Sequence, residues 1–495
     1  MNQAPPHNKE MSGLPFKMHK GPKIKLVPQP PLTADIAIEP VRFQDLPRPR
    51  RDPNEFSTHL DEKVQIKERA LTLFQTVCVL LVQFIAVVVL AFPWSFAILG
   101  LAGGLITCLI VGFTTIYSVH ILWRFCMVHR EVRDLCDLAY HLFGKSRLAW
   151  YLAFIGLALN NLGVMAVHVN GAQTAISTLG HTFCSVYWGL TAFGIMYAGS
   201  LVRGFRKAGP AAALSAGTMF ACFILVIVGH VVQDKPNQYY PDTSLAWTMW
   251  APKGTTAIKG INAVLNIIYS FIGHPLIPSY IGDMRDPSQF PTALYITMAI
   301  EIVLFTILGA VVYVKTGTEL TVSPAYGSLT EHLGKAAAGL ALPTILIVGS
   351  LFSLVTSRAV FFQIYKEGSV HRRRHTRVGW LVWFGIVTAG WIVAFILAEA
   401  VPFFGDLLSL ISALFASWFG YILWPIAYFR MSRGRSLKDP KHASQVVLCI
   451  ILFIAGVFLF TAGTYASIKS IRDNYAAGPI KRPFTCTNTG FQFSR

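Results

Sequence analysis

Charge is scarce in this chain. Asp, Glu, Lys and Arg make up 13% of its 495 residues, against 54% hydrophobic residues and a mean hydropathy of +0.52. An average soluble domain is about 25% charged; so lean a supply cannot solvate a surface of this size, which excludes an ordinary water-soluble enzyme and points to a polytopic membrane protein. Acidic residues are the scarcer sign, 24 against 42 basic ones. In a soluble domain the resulting +18 would suggest nucleic acid, but here the basic residues fall between apolar segments, so they report topology and no nucleic-acid partner is expected. The eight cysteines include no CxxC pair, which leaves a cysteine zinc site and a redox motif without support. No N-x-Ser/Thr sequon falls in the outer loops. No cleavable signal peptide is expected, because the first apolar segment starts near Leu71 and is far too long for one. A membrane acyltransferase built on His274 or His168 would need polar catalytic partners and an acyl-carrier motif, and neither is found. No covalent catalysis and no cofactor or metal are expected.

What the chain has in abundance is long apolar runs. After a basic, proline-rich tail (1–68), which has too little apolar surface to offset its ordering entropy and is expected to be disordered and cytosolic, eleven segments of membrane length follow. They lie near 71–99, 101–127, 148–178, 183–203, 209–232, 256–282, 290–314, 335–365, 378–399, 402–429 and 445–468. The fold class expected is therefore all-α and polytopic, with a transmembrane domain over 69–470 and a short extracytosolic tail over 471–495. Cytoplasmic loops collect Lys and Arg. With the N-terminal tail inside, the five inner loops carry 19 basic residues, Arg124 and Lys441 being the outermost, and the five outer loops carry only Lys235, Lys253, Lys259, Lys315 and Lys335.

Two segments are built to break. In YSFIGHPLIPSYIGDM (Tyr269–Met284) Gly273, His274, Pro275 and Pro278 crowd together, and in LVQFIAVVVLAFPWSFAILG (Leu81–Gly100) Pro93 falls inside the apolar run behind a β-branched stretch. Proline removes a backbone donor and clashes with the preceding turn, while glycine adds backbone freedom. These are spans one and six, five apart. Interrupted helices at corresponding places in five-helix halves are the sequence signature of an inverted-repeat transporter whose site lies between the breaks, the LeuT type.

At four stretches the sequence resembles the amino acid/auxin permeases, in detail their fungal neutral amino acid permease branch: VLAFPWSFAILGLAGG (Val89–Gly104), YSFIGHPLIPSYIGDMRDPSQFPTALY (Tyr269–Tyr295), VVYVKTGTELTVSPAYGSL (Val311–Leu329) and AEAVPFFGDLLSLISALFASWFGYILWPIAYF (Ala398–Phe429). The likeness extends from about residue 68 to 468. It implies eleven helices in a LeuT-type 5+5 arrangement and proton-driven uptake of amino acids. One departure stands out. The family's first break is usually small and glycine-containing, whereas here it reads Ala86, Val87, Val88, and valines narrow a pocket and resist unwinding.

An amino acid offers a carboxylate, an ammonium and a side chain. Amides at a half-helix N-terminus suit the first and free carbonyls suit the second, so recognition needs few charged side chains. Substrate is expected among Val87, Val88, Ala91, Phe92, Phe271, Ile272 and Gly273, with Asn161 and Met165 lining the pocket. The apolar lining favours neutral aliphatic or aromatic side chains. For ion coupling, His274 is either a proton relay or a neutral inter-helix hydrogen-bonding residue. Ser353, Thr356 and Ser357 share a helix face that resembles the second sodium site of LeuT-type symporters, and Arg358 beside them would compete with sodium, so protons are expected over sodium. The alternative for that face is local carbonyl bonding with Arg358 snorkelling inward. Glu301, about one turn into the seventh span, is either a proton carrier or, as favoured, a residue near the inner interface, and Asp406 is expected as a cap or gate residue. A disulfide between Cys184 and Cys486 would suit two cysteines both assigned outside. The expected partners are an amino acid and the bilayer, with a monomer plausible and the plasma membrane favoured over the vacuole. Two rival functions remain, a transport-deficient amino acid sensor and a carrier of another small organic acid.

Overall fold

In the computed structural model the described residues are 71–180, 184–203, 208–365, 369–477, 482–484, 486 and 489–493, so the tail over 1–68 lies outside them. They are almost wholly helical. An isolated bridge between Leu71 and Met284 is the β pairing found among them.

The order is α1 (Leu73–Phe84), a 3-10 turn (Val87–Ala91), α2 (Phe92–Leu99), α3 (Leu101–Val128), α4 (Leu135–Leu142), α5 (Arg147–Gly180), α6 (Ser185–Ser200), α7 (Ala208–Val232), α8 (Ala257–Ser270), α9 (Ile277–Asp283) and α10 (Phe290–Leu320). There follow α11 (Glu331–Ile364), α12 (Val370–Arg373), α13 (Arg377–Ala400), α14 (Phe404–Ile411), a π-helical stretch (Ser412–Ile422), α15 (Leu423–Met431) and α16 (Pro440–Ala477).

This is an all-α, multi-pass membrane protein. Every one of the eleven expected segments coincides with helix, but length and apolarity alone qualify fewer of them as spans. Among the described residues eight helices pass that test, and the bent pair Leu73–Phe84 and Val87–Leu99, meeting at 47°, makes nine. The other two segments fall short for a physical reason: α6 has 16 residues, and α8 with 14 residues is cut from the 7-residue α9. The last helix runs through Ala477, so the boundary expected at 470 falls inside it. Large apolar side chains such as Ile110, Phe113, Leu381 and Ile454 remain exposed, as a bundle in contact with lipid tails requires.

Helix ends are closed by named partners. Gly100, at φ 77°, separates α2 from α3 with the Trp250 backbone packed where a Cβ would stand. The first amides of α3, Leu101 and Ala102, donate to Thr248 O at 2.9 Å and Met249 O at 2.8 Å, which satisfies donors a helix start leaves open. Gly317, at φ 73°, interrupts α10 where it meets Leu245.

At the other end of the bundle from the basic loops, Cys184 and Cys486 are joined by a disulfide. The tail beyond it lies over several helices. The Phe491 amide donates to Thr178 Oγ1 at 3.1 Å, the Asn237 side chain donates to Gln492 O at 3.1 Å, and Phe493 packs on Gly334. Asp406 is not a helix cap: it accepts from Ser470 and Asn474, tying α14 to α16. Cross-links that close long loops typically contribute about 2–4 kcal/mol. Cys184→Ser is therefore expected to lower the thermal midpoint and to raise deuterium exchange at 489–493, measured by mass spectrometry; unchanged exchange would show that the tail is held without the bond.

Candidate functional site

Both expected breaks exist, and they lie against each other. The first is not made by Pro93, which sits in the first turn of α2, where its missing N–H costs nothing. It occupies Ile85–Ala91 instead, where α1 ends and the chain tightens into the 3-10 turn. Three consecutive valines, stiff at χ1 and slightly unfavourable in an α-helix, lie at the change of winding. The second break spans Phe271–Leu276. Phe271 N bonds Ile268 O and Ile272 N bonds Tyr269 O, while Leu276 N bonds Gly273 O. That ladder passes over the amides of Gly273 and His274, and Pro275 has no amide to give.

The ring of Phe84, the last residue of α1, covers Gly273 so closely that a Cβ there would run into it. Phe92 lies 6.2 Å from Phe271, and Phe305 of α10 closes the group at 5.2 Å from Phe92 and 5.4 Å from Phe271. Val87, Ala91, Phe92 and Phe271 are fully buried and Val88 nearly so. Ile272 extends the other way, into Gly420 of the π-helical stretch. The junction is thus apolar and closed by Phe84.

His274 is buried beside this junction. Its Nε2 shares a 2.7 Å hydrogen bond with Ser118 Oγ of α3, its ring stacks on Trp424 at 5.5 Å, and its Nδ1 has no partner. Asn161 donates to Thr356 Oγ1 at 2.9 Å, so α5 and α11 are joined through two of the expected residues, and Ser353 and Ser357 are buried on the same helix with Ser353 Oγ unpartnered. Two further expected residues face other partners. Met165 turns toward Gly390 of α13, since its position on α5 faces that helix. The Arg358 guanidinium lies over Phe362 at 5.0 Å, with Arg372 over the same ring at 4.0 Å, because its long stem carries the charge toward the basic loop and away from the hydroxyl face.

The placement of Glu301 differs most from expectation. It is fully buried eleven residues into α10, roughly 16 Å along the helix, and both carboxyl oxygens lack a partner. Phe305, one turn on, is the ring that closes the junction. Sequence reading also passes over Phe84, Phe305 and Glu399. Glu399 is buried, and its Oε1 shares with the Gln173 oxygen the space in front of Gly189. The one available signal was an acid near the end of an apolar helix.

A profile of the family described as "Transmembrane amino acid transporter protein" matches residues 69–469, nearly the whole helical domain. The chain belongs to that family. The N amino acid transport system protein of Neurospora crassa is 28% identical over 411 residues, covering 82% of this chain and 86% of the relative. A "Transmembrane transporter" of Gibberella moniliformis is 27% identical over 84% of this chain and 87% of its own length. Amino acid transporter AVT1C of Arabidopsis thaliana is 25% identical over 41% of this chain and 35% of its own length. The family and these relatives are transporters, so transport and not covalent catalysis is the activity class.

If Phe84 on Gly273 sets the closure of the junction, Gly273→Ala should abolish uptake of a labelled amino acid in proteoliposomes, and adding Phe84→Ala should restore part of it by removing the ring. Independent, additive losses in the double variant would show that the contact does not govern the site.

Proposed function

We propose that this member of the family is a proton-coupled symporter of neutral amino acids that works by alternating access, with substrate held between the two helix interruptions. The observation that carries the reading is the junction itself, two broken helices in contact, lined by the apolar side chains of Val87, Val88, Phe92 and Phe271. Backbone groups freed from the ladder meet the substrate's carboxylate and ammonium, and the apolar lining selects against charged side chains. The five-plus-five inverted repeat and the plasma membrane belong to the same reading, as do a cytosolic N-terminus and an extracytosolic C-terminus, the orientation that the basic-residue asymmetry of the loops supports.

Glu301 carries the proton on this reading. An ionised carboxylate there would have neither donor nor cation to offset its desolvation, so its charge can change only when the junction opens to water. His274, paired with Ser118 and stacked on Trp424, braces α3 and α15 against the second break. The hydroxyl face of Ser353, Thr356 and Ser357 is where sodium would bind if sodium were the coupling ion.

Uptake of a panel of labelled amino acids into proteoliposomes under imposed pH and sodium gradients tests the reading. Accumulation of neutral amino acids should follow an inward proton gradient and ignore sodium. Glu301→Gln should remove gradient-driven accumulation yet keep substrate counterflow, which needs no net proton movement. Sodium-driven uptake would overturn the coupling. Saturable binding with no uptake by the parent chain would favour the sensor, which the closure by Phe84 and the valines of the first break would suit.

A further inference from the structure

Away from the junction, on the basic-loop side, the connection after α3 carries His129 and Glu131 close to His141 in the last turn of α4. We propose that these three side chains form a binding site for a divalent transition-metal ion of the Zn2+ class. Glu131 Oε1 lies 3.7 Å from His129 Nδ1 and 3.5 Å from His141 Nδ1, and one ligand atom from each residue falls within 4.8 Å of the others. Those separations are too long for good hydrogen bonds. They do approach the edge of a tetrahedral zinc site, where ligand atoms about 2.0–2.2 Å from the metal stand roughly 3.4 Å apart.

Two nitrogens and a carboxylate oxygen thus stand close enough to share one cation. The donors also match the metal: imidazole nitrogen and carboxylate oxygen are zinc ligands, and three protein ligands leave a fourth position for water. Packing aims the rings. His129 lies against Phe125 at 4.6 Å, His141 sits edge-on to Tyr140 at 5.2 Å, and the two imidazoles stack at 5.5 Å. The Glu131 side chain is 57% exposed, which gives an ion a path in.

Metal at this point would fasten the end of α3 to the last turn of α4, a helix packed against α5.

The test uses the full chain purified in detergent without a polyhistidine tag and stripped with a chelator. Zn2+ binding is measured by equilibrium dialysis with elemental analysis, and Co2+ serves as the optical probe. The parent chain should retain one Zn2+ that is lost or weakened at least tenfold in His129→Gln and His141→Gln, and Co2+ should give a tetrahedral absorption band that disappears with them. Glu131→Gln, a surface change that leaves the fold intact, should weaken binding to a similar degree, while His332→Gln, on α11, should leave it unchanged. Equal Zn2+ binding by parent and Glu131→Gln chains, or no Zn2+ retained by the parent, would reduce the trio to an ordinary histidine–carboxylate cluster and overturn the proposal.

Discussion

In hydrocarbon a backbone amide or carbonyl that leaves the helix ladder has no water to bond, and each such group costs several kcal/mol unless protein covers or satisfies it. That cost organises this fold. The chain leaves the ladder at Ile85–Ala91 and at Phe271–Leu276, and each interruption is sheltered by the other, by Phe84 over Gly273 and by Phe92 beside Phe271. The helices around them serve as walls: α10 supplies Phe305, α3 supplies Ser118 and the π-helical stretch supplies Gly420. A site made of broken helices can exist only inside such a wall, which is why the rest of the bundle surrounds it.

Close approach in the wall comes from matching large side chains to glycines, the usual way to pack helices when burial gives no hydrophobic gain. The Phe96 ring fits against Gly104 and Gly309, Ile302 against Gly112, and Ile272 against Gly420. The same logic accounts for the valines at the first break. Where one side of the junction is Ala86, Val87 and Val88, the opposite side is Gly273, and the space that glycine frees is taken by Phe84. Side-chain volume has been exchanged across the junction, with the bulk on the first broken helix and the glycine on the second.

Much of this was legible in the sequence. Gly273, His274, Pro275 and Pro278 announced the second break because proline and glycine act locally, and the apolar run lengths gave the membrane class because hydrocarbon thickness fixes them. Pro93 marked the first break imperfectly, since a proline in the first turn of a helix is tolerated and the winding changes earlier, at the valines. What the sequence could not reveal was which faces meet. Met165 and Asn161 are one turn apart on α5, yet one meets Gly390 and the other Thr356. Glu301 was misplaced for a related reason: depth in a bundle depends on the packing of neighbours that are distant in the chain. His129, Glu131 and His141 are brought near one another by the fold, and no compact motif in the sequence joins them.

The polar groups buried in the bundle also bear on which ion the proposed mechanism uses. A sodium site needs several oxygens that are not already engaged. On α11, Thr356 Oγ1 donates to Phe352 O and accepts from Asn161, which leaves it little capacity, and Arg358 is drawn off toward Phe362. Ser353 Oγ is buried there without a partner. A proton asks for less, a single carboxyl whose surroundings alternate between dry and wet. Glu301 is such a group by position: it lies one turn from Phe305, and Phe305 packs on a phenylalanine from each broken helix. Any separation of Phe92 from Phe271 must move that ring, so on the proposed reading the opening that admits substrate is the same event that lets water reach the carboxyl. Coupling then needs no separate ion cavity, only one shared aromatic contact between the acid's helix and the two breaks.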